Sequence, residues 1–215
     1  MALRTPARLL LGLAALASAA AFAASAAAPS AKAATLGLSC PTPAAQTFAP
    51  WGDYQYYIPA PDSGFEHGAT GWTLAGGARV VTGNEPYMVG GAGQSHSLSL
   101  PAGSSATSPP MCIGLFSGGM RFFLQNTGAT SSTVRVQVIY HGGAGALLGG
   151  LGSTLGISDK GTFSGTSAWR PSPNFLMAGG LLPLLTQSVQ FRFTPLSAGG
   201  NWRIDDVYLD PLMHR

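Results

Sequence analysis

Four stretches of this chain alternate apolar and polar residues with a period of two, and no long stretch beyond residue 33 repeats with helical spacing. In Ser95–Leu100, His96, Leu98 and Leu100 fall on one side and three serines on the other. Met120–Gln125 sets Met120, Phe122 and Leu124 against Arg121, Phe123 and Gln125. Val134–Val138 and Val189–Thr194 repeat the pattern, with Arg135, Gln137, Gln190, Arg192 and Thr194 on the polar sides. Period two is the signature of a half-buried β-strand. Shorter strands are expected at Trp72–Leu74, Arg79–Val81, Leu155–Ser158 and Trp202–Leu209, and one helical turn near Pro173–Ala178. Turn residues fill the gaps, as in Ala75-Gly76-Gly77, Asn126-Thr127-Gly128 and Ala198-Gly199-Gly200. Many short strands with regular turns predict an all-β fold, a two-sheet sandwich or jelly roll. Only 9% of the 215 residues are charged, against roughly a quarter in ordinary soluble domains. That excludes a coiled coil, a charged helical bundle and a basic nucleic-acid binder.

Residues 1–33 read as a secretory signal peptide: Arg4 and Arg8, then an apolar Leu/Ala stretch, then small residues. Ala31-Lys32-Ala33 is the preferred cleavage site and Ala21-Phe22-Ala23 its rival. Residues 34–62 form a Pro- and aromatic-rich arm, and residues 63–215 the β-sandwich domain. The leader carries three basic residues and no acid, so the remainder holds eight basic and eight acidic residues. Nothing in that balance invites nucleic acid. No membrane span is expected after cleavage, because no later apolar run reaches about 18 residues; Leu176–Leu185 is broken by Pro183. Export also makes a Cys40–Cys112 disulfide the expected state of the only two cysteines. It would staple the arm to the middle of the domain, contributing up to about 4 kcal/mol in the chain-entropy model.

Three motifs occur in order: Gly64-Phe65-Glu66-His67-Gly68 with Gly71-Trp72, Ser97-Leu98-Ser99-Leu100, and Trp202-Arg203-Ile204-Asp205-Asp206-Val207-Tyr208-Leu209. This set resembles the galactose-binding-like jelly rolls, among them carbohydrate-binding modules of secreted polysaccharide hydrolases. The segments Pro50–Asp53, Gly83–Pro86, Ser97–Cys112 and Trp202–Pro211 also resemble a group of small secreted actinobacterial proteins of no established activity. The first resemblance implies a jelly-roll β-sandwich of two antiparallel sheets, and a structural Ca²⁺ held by an opening acid and a closing-strand Asp. The matching positions are Glu66 and Asp205. A hydrogen-bonded or Arg-paired Asp205 is the competing expectation.

Catalytic signatures are absent: there is no HExxH, CxxC or G-x-S-x-G. Asp205 and Asp206 are neighbours on a strand, which places them on opposite faces and excludes them as a pair. His96 is expected in the core beside Leu98, and His67 and His141 in solvent. The polar positions of the strands supply a ligand-binding set: Arg121, Phe123, Gln125, Arg135, Gln137, Gln190 and Arg192. On one sheet they would form a face of guanidiniums and amides suited to sugar hydroxyls or an acidic glycan. Trp51, Tyr54, Tyr56 and Tyr57 of the arm either stack on sugar rings or cover one side of the sandwich. Trp72 and Trp202 are assigned to the core.

The expected protein is therefore secreted, extracellular and non-catalytic, binding a polysaccharide or cell-envelope glycan, with no cofactor required. The alternatives are a structural or protein-interaction component of the envelope, using Leu176–Leu185 and Gly142–Gly152, and an exported hydrolase.

Overall fold

A computed structural model describes residues 45–113, 118–142, 152–177 and 186–210. The described residues all belong to one compact unit. Among the described residues a 3₁₀ turn at Ala49–Trp51 precedes thirteen strands: β1 (Ile58–Pro59), β2 (Thr73–Ala75), β3 (Arg79–Thr82), β4 (His96–Pro101), β5 (Ser105–Thr107), β6 (Met111–Cys112), β7 (Gly119–Asn126), β8 (Thr133–Gly142), β9 (Ser153–Ser164), β10 (Arg170–Pro171), β11 (Phe175–Leu176), β12 (Thr186–Pro195) and β13 (Asn201–Leu209).

The strands form two antiparallel sheets, a jelly-roll sandwich. One runs β10-β7-β13-β4-β3, with β1 added to β13 and β11 to β7; the other runs β2-β5-β12-β8-β9, with β6 added to β12. Alternation explains the packing. Val134, Val136 and Val138 of β8 and Val189, Phe191 and Phe193 of β12 meet Phe122, Leu124, Leu98, Leu100, Trp202 and Ile204 in one core. The Phe122 and Phe193 rings cross edge to face at 4.9 Å, a favoured aromatic geometry. Trp72 and Trp202 are buried, and the Trp202 indole N–H donates to Ser132 Oγ at 2.6 Å, which satisfies its one polar atom.

Three local expectations need correction. Residues Phe175–Leu176 are extended, not helical, and pair with Met120 and Gly119 of β7; this lets Phe175 reach Phe163 at 4.5 Å and Phe122 at 5.8 Å. His141 is buried, because its imidazole meets Gln190 at 2.8 Å on the neighbouring strand. His96 stands at the open end of β4, half-buried against Glu66 at 2.8 Å. The connection across Gly142–Gly152 joins β8 to β9 as a hairpin whose register runs from Thr133↔Ser164 to Gly142↔Ser153; its tip lies outside the described residues.

The arm folds over the outer face of the seven-stranded sheet. Phe48 and Tyr57 form a second small core with Phe123 and Tyr208. Phe48 stacks on Phe123 at 5.6 Å and meets the edges of Tyr57 and Tyr208 at 5.1 and 5.7 Å. That covering decides which sheet remains open.

Candidate functional site

The seven proposed ligand residues divide between the two sheets. Arg121, Phe123 and Gln125 lie on β7, whereas Arg135 and Gln137 lie on β8 and Gln190 and Arg192 on β12. They cannot form one face, because alternation along a strand tells which side a residue takes and not which sheet the strand joins.

The β7 residues are consumed by structure. Phe123 is fully buried beneath the arm. Arg121 donates from Nε and Nη2 to the Ser172 carbonyl at 3.0 and 2.7 Å and from Nη1 to Asp53 Oδ2 at 3.0 Å. Its guanidinium also lies 4.6 Å from the centre of the Phe48 ring, a cation–π distance. Gln125 donates to the Ser167 carbonyl at 2.7 Å.

The other four stay together on the outer face of the six-stranded sheet. Their strand neighbours point into the core, so they point away from it. One row across the sheet runs Thr73, Thr107, Arg192, Gln137, Asp159, and the next runs Ala75, Ser105 and, across β12, β8 and β9, Thr194, Arg135, Thr162. Arg192 Nε bonds Thr107 Oγ1 at 3.2 Å. Arg135 pairs with Asp159 at 3.4 Å, both about half exposed. Gln190 is committed, donating to the Ser108 carbonyl at 2.7 Å and accepting from His141. Beyond it Ile139 and Ile157 continue the row, with Ile157 exposed. The face thus offers two guanidiniums, the Gln137 amide and a fringe of hydroxyls.

A groove lies on the opposite side of the sandwich. It has a volume of about 450 Å³ and is lined by Gln46, Thr47, Pro50, Trp51, Tyr87 and Val89, among others. Trp51 and Tyr87 meet edge to face at 5.0 Å, and both rest on the buried Phe123 ring, at 5.2 and 5.5 Å. The arm aromatics therefore split: Tyr57 covers the sheet, Trp51 both covers it and lines the groove, and Tyr54 and Tyr56 are exposed. Tyr87, from the segment between β3 and β4, went unnoticed in the sequence. Its partners in the arm are distant along the chain, and no spacing signal joins them.

Glu66 and Asp205, the expected calcium residues, share no hydrogen-bond partner. Glu66 accepts from the backbone N–H of Ser95 and His96 at 2.6 and 2.8 Å. Burial alone would raise its carboxyl, but the His96 ring and these bonds outweigh that and bring it to about 2. Asp205 instead meets Glu85 and Asp206, and all three are fully buried. The expectation that Asp205 and Asp206 face opposite sides fails. A register shift between Asp205 and Tyr208 and a left-handed φ of 48° at Asp206 break the alternation.

Six N–H groups serve the six oxygens of this cluster. Tyr87 and Val89 donate to Glu85, Glu85 and Asp206 to Asp205, and Gly90 and Gln94 to Asp206. Burial first, then the Asp206 charge, pushes the Asp205 carboxyl up to about 8. Burial and a hydrogen bond to Glu85 raise Asp206 as well. No group of three or more His, Cys, Asp or Glu among the described residues is arranged to hold a metal. Cys112 lies on β6, and Cys40 lies outside the described residues, as does most of Leu176–Leu185; Leu176 itself is exposed and Met177 buried.

No protein-family profile and no curated protein sequence matches the chain. Solved structures similar to it include the CBM22-1–CBM22-2 tandem domain of Paenibacillus barcinonensis Xyn10C, at a TM-score of 0.49 and 13% identity, covering 74% of this chain and 46% of that one. The chain thus spans less than half of that structure. The CBM22-1 xylan-binding domain of the same protein gives 0.46 and 14%, covering 70% of this chain and 93% of that one. TmCBM61, solved with β-1,4-galactotriose, gives 0.42 and 17%, covering 72% and 99%.

Proposed function

We propose that this is an exported, non-catalytic module that binds a polysaccharide or cell-envelope glycan across the outer face of its six-stranded sheet. The observation that carries the reading is the contrast between the two sheets: the arm closes one, while Arg135, Gln137 and Arg192 stand in register on the other. Sugar hydroxyls both donate and accept, so a site for them needs planar donors held in place and a group able to do both. Guanidiniums supply the first and the Gln137 amide the second. Export is supported by the leader pattern of residues 1–33, and the Cys40–Cys112 bridge belongs to the same reading.

The acids argue against hydrolysis. Glu85, Asp205, Asp206 and Asp210 are shut off from solvent. Asp53 is held by Arg121, Asp62 by the Thr70 N–H, Glu66 by His96 and Asp159 by Arg135. A glycosidase needs two carboxyls flanking a substrate-filled gap, and these eight do not offer one.

The test is sedimentation of the oxidised protein, lacking residues 1–33, with insoluble polysaccharides and cell-wall fractions, beside an Arg135→Ala/Arg192→Ala variant. Saturable binding to one polymer, weakened at least tenfold in the variant, supports the reading. Binding that the variant retains removes the site, and release of soluble sugar removes the non-catalytic assignment. Failure on every polymer favours a protein-interaction role in the envelope.

A further inference from the structure

We propose that the groove between the arm and Tyr87 is a second sugar site, which takes the apolar face of a neutral pyranose ring. If the sheet face binds glycan as proposed above, one domain would hold two glycan chains on opposite sides.

Large apolar side chains are unevenly exposed on this molecule. Of the seven exposed large apolar side chains among the described residues, Tyr54, Tyr56, Tyr87 and Met88 belong to the arm or to the segment beside it. Tyr54 is tied to the groove directly, since its carbonyl accepts from Gln46 Nε2 at 2.8 Å. Of these four, Tyr87 lines the groove itself, and exposed apolar surface of this kind marks a contact site.

The groove has the composition of a sugar site. Its floor is the Trp51 and Tyr87 rings, propped from below by the buried Phe123. The support fixes their orientation, so little side-chain freedom is lost on binding. Tyr87 is further fixed by its hydroxyl, which donates to the Trp169 carbonyl at 3.2 Å. The rim supplies Gln46 and Thr47, an amide and a hydroxyl that can meet ring hydroxyls. No charged residue among those described lines it, so a neutral sugar fits better than an acidic one. About 450 Å³ falls within the usual range of small-ligand sites, roughly 300–1,000 Å³.

The two surfaces are separated by the whole sandwich. Phe123, beneath the groove, belongs to the seven-stranded sheet, and Arg192 and Gln137 to the six-stranded one. One short oligosaccharide cannot span both, so the two sites titrate independently.

The experiment is amide and indole NMR on the oxidised protein lacking residues 1–33, titrated with hexasaccharides of β-1,4-linked glucose, xylose, mannose and galactose. The wild type is compared with Tyr87→Ser, Gln46→Ala and Arg135→Ala/Arg192→Ala. Tyr87 and Gln46 are surface residues, so these variants keep the fold, which unchanged β-strand resonances verify. The expected result is movement of the Trp51 indole and of the Gln46 and Thr47 amides, with affinity at least tenfold weaker in Tyr87→Ser and unchanged in the double Arg variant. Movement confined to β8 and β12 overturns the groove and spares the sheet-face reading. Movement confined to the arm does the reverse. No movement with any of the four sugars overturns the groove outright.

Discussion

Asp53 Oδ2 lies 3.0 Å from Arg121 Nη1, and each side chain is about one-tenth exposed. The pair bolts the arm to β7, and the Tyr57 hydroxyl donates to the same oxygen at 2.8 Å. Burial and the Asp53 charge hold that hydroxyl well above its ordinary value, so it remains a donor. Removing one partner of a buried pair leaves the other charged and uncompensated, at a cost of about 3–5 kcal/mol. Asp53→Ala should therefore lower unfolding stability by about 3 kcal/mol in urea titration, and Tyr57→Phe by about 1 kcal/mol. Asp53→Ala should also raise proteolytic cleavage near Trp51. If it unfolds at the wild-type midpoint, the arm is not held by this pair.

The buried carboxyl cluster gives stability a pH dependence of unusual sign. Asp205 titrates near 3.8 when unfolded and near 8 when folded. Between those values the folded state binds more protons, so stability falls as pH rises, by at most about 1.4 kcal/mol per pH unit from Asp205 alone, with Asp206 adding to the slope below about pH 6. Glu66 acts oppositely: its stabilisation is complete above about 4.5 and is lost as pH falls toward 2. Thermal stability should then peak near pH 4–5 and decline to about pH 8. Asp205→Asn should flatten the decline. A midpoint that rises from pH 5 to 8 would contradict the assignment.

Chelation should leave the fold unchanged. The negative charge of Glu85, Asp205 and Asp206 is met by one protein N–H at each oxygen, and that of Glu66 by the Ser95 and His96 N–H groups. A bound ion would stabilise the native state by RT ln(1 + [L]/Kd), close to 3 kcal/mol at about a hundredfold excess over Kd. Melting curves with millimolar CaCl₂ and with EDTA should therefore coincide. A rise in calcium that Asp205→Asn abolishes would restore a metal to this end of the sandwich.

The strands were legible because alternation is a local property. Val134–Val138 and Val189–Thr194 needed no knowledge of their neighbours, and all-β architecture followed from them. Sheet membership was not legible: Arg121 and Arg135 look alike in sequence, yet one is buried under Phe48 and the other half exposed. That difference is made by an arm some seventy residues upstream of β7 along the chain. Asp205 and Asp206 were misread for another reason. A register shift and one left-handed residue override the period-two rule, and nothing in Trp202–Leu209 announces them. Tyr87 was missed because a single ring in a turn carries no pattern.

Gly165 offers a sharp test of packing at the edge of the core. A Cβ at that position would stand 2.5 and 2.7 Å from two ring carbons of Trp202. The ring cannot retreat, because it is fully buried and its N–H is fixed on Ser132. Overpacking a close-packed site costs about 1–3 kcal/mol. Gly165→Ala should therefore destabilise by that amount and shift the Trp202 fluorescence as the ring tilts. Gly68→Ala is the control: φ there is +74°, but the space around it is open. Its cost is backbone strain alone, roughly 1 kcal/mol, with no change in the Trp202 environment. If Gly165→Ala leaves both stability and the tryptophan signal unchanged, the backbone at Gly165 is looser than its approach to Trp202 implies.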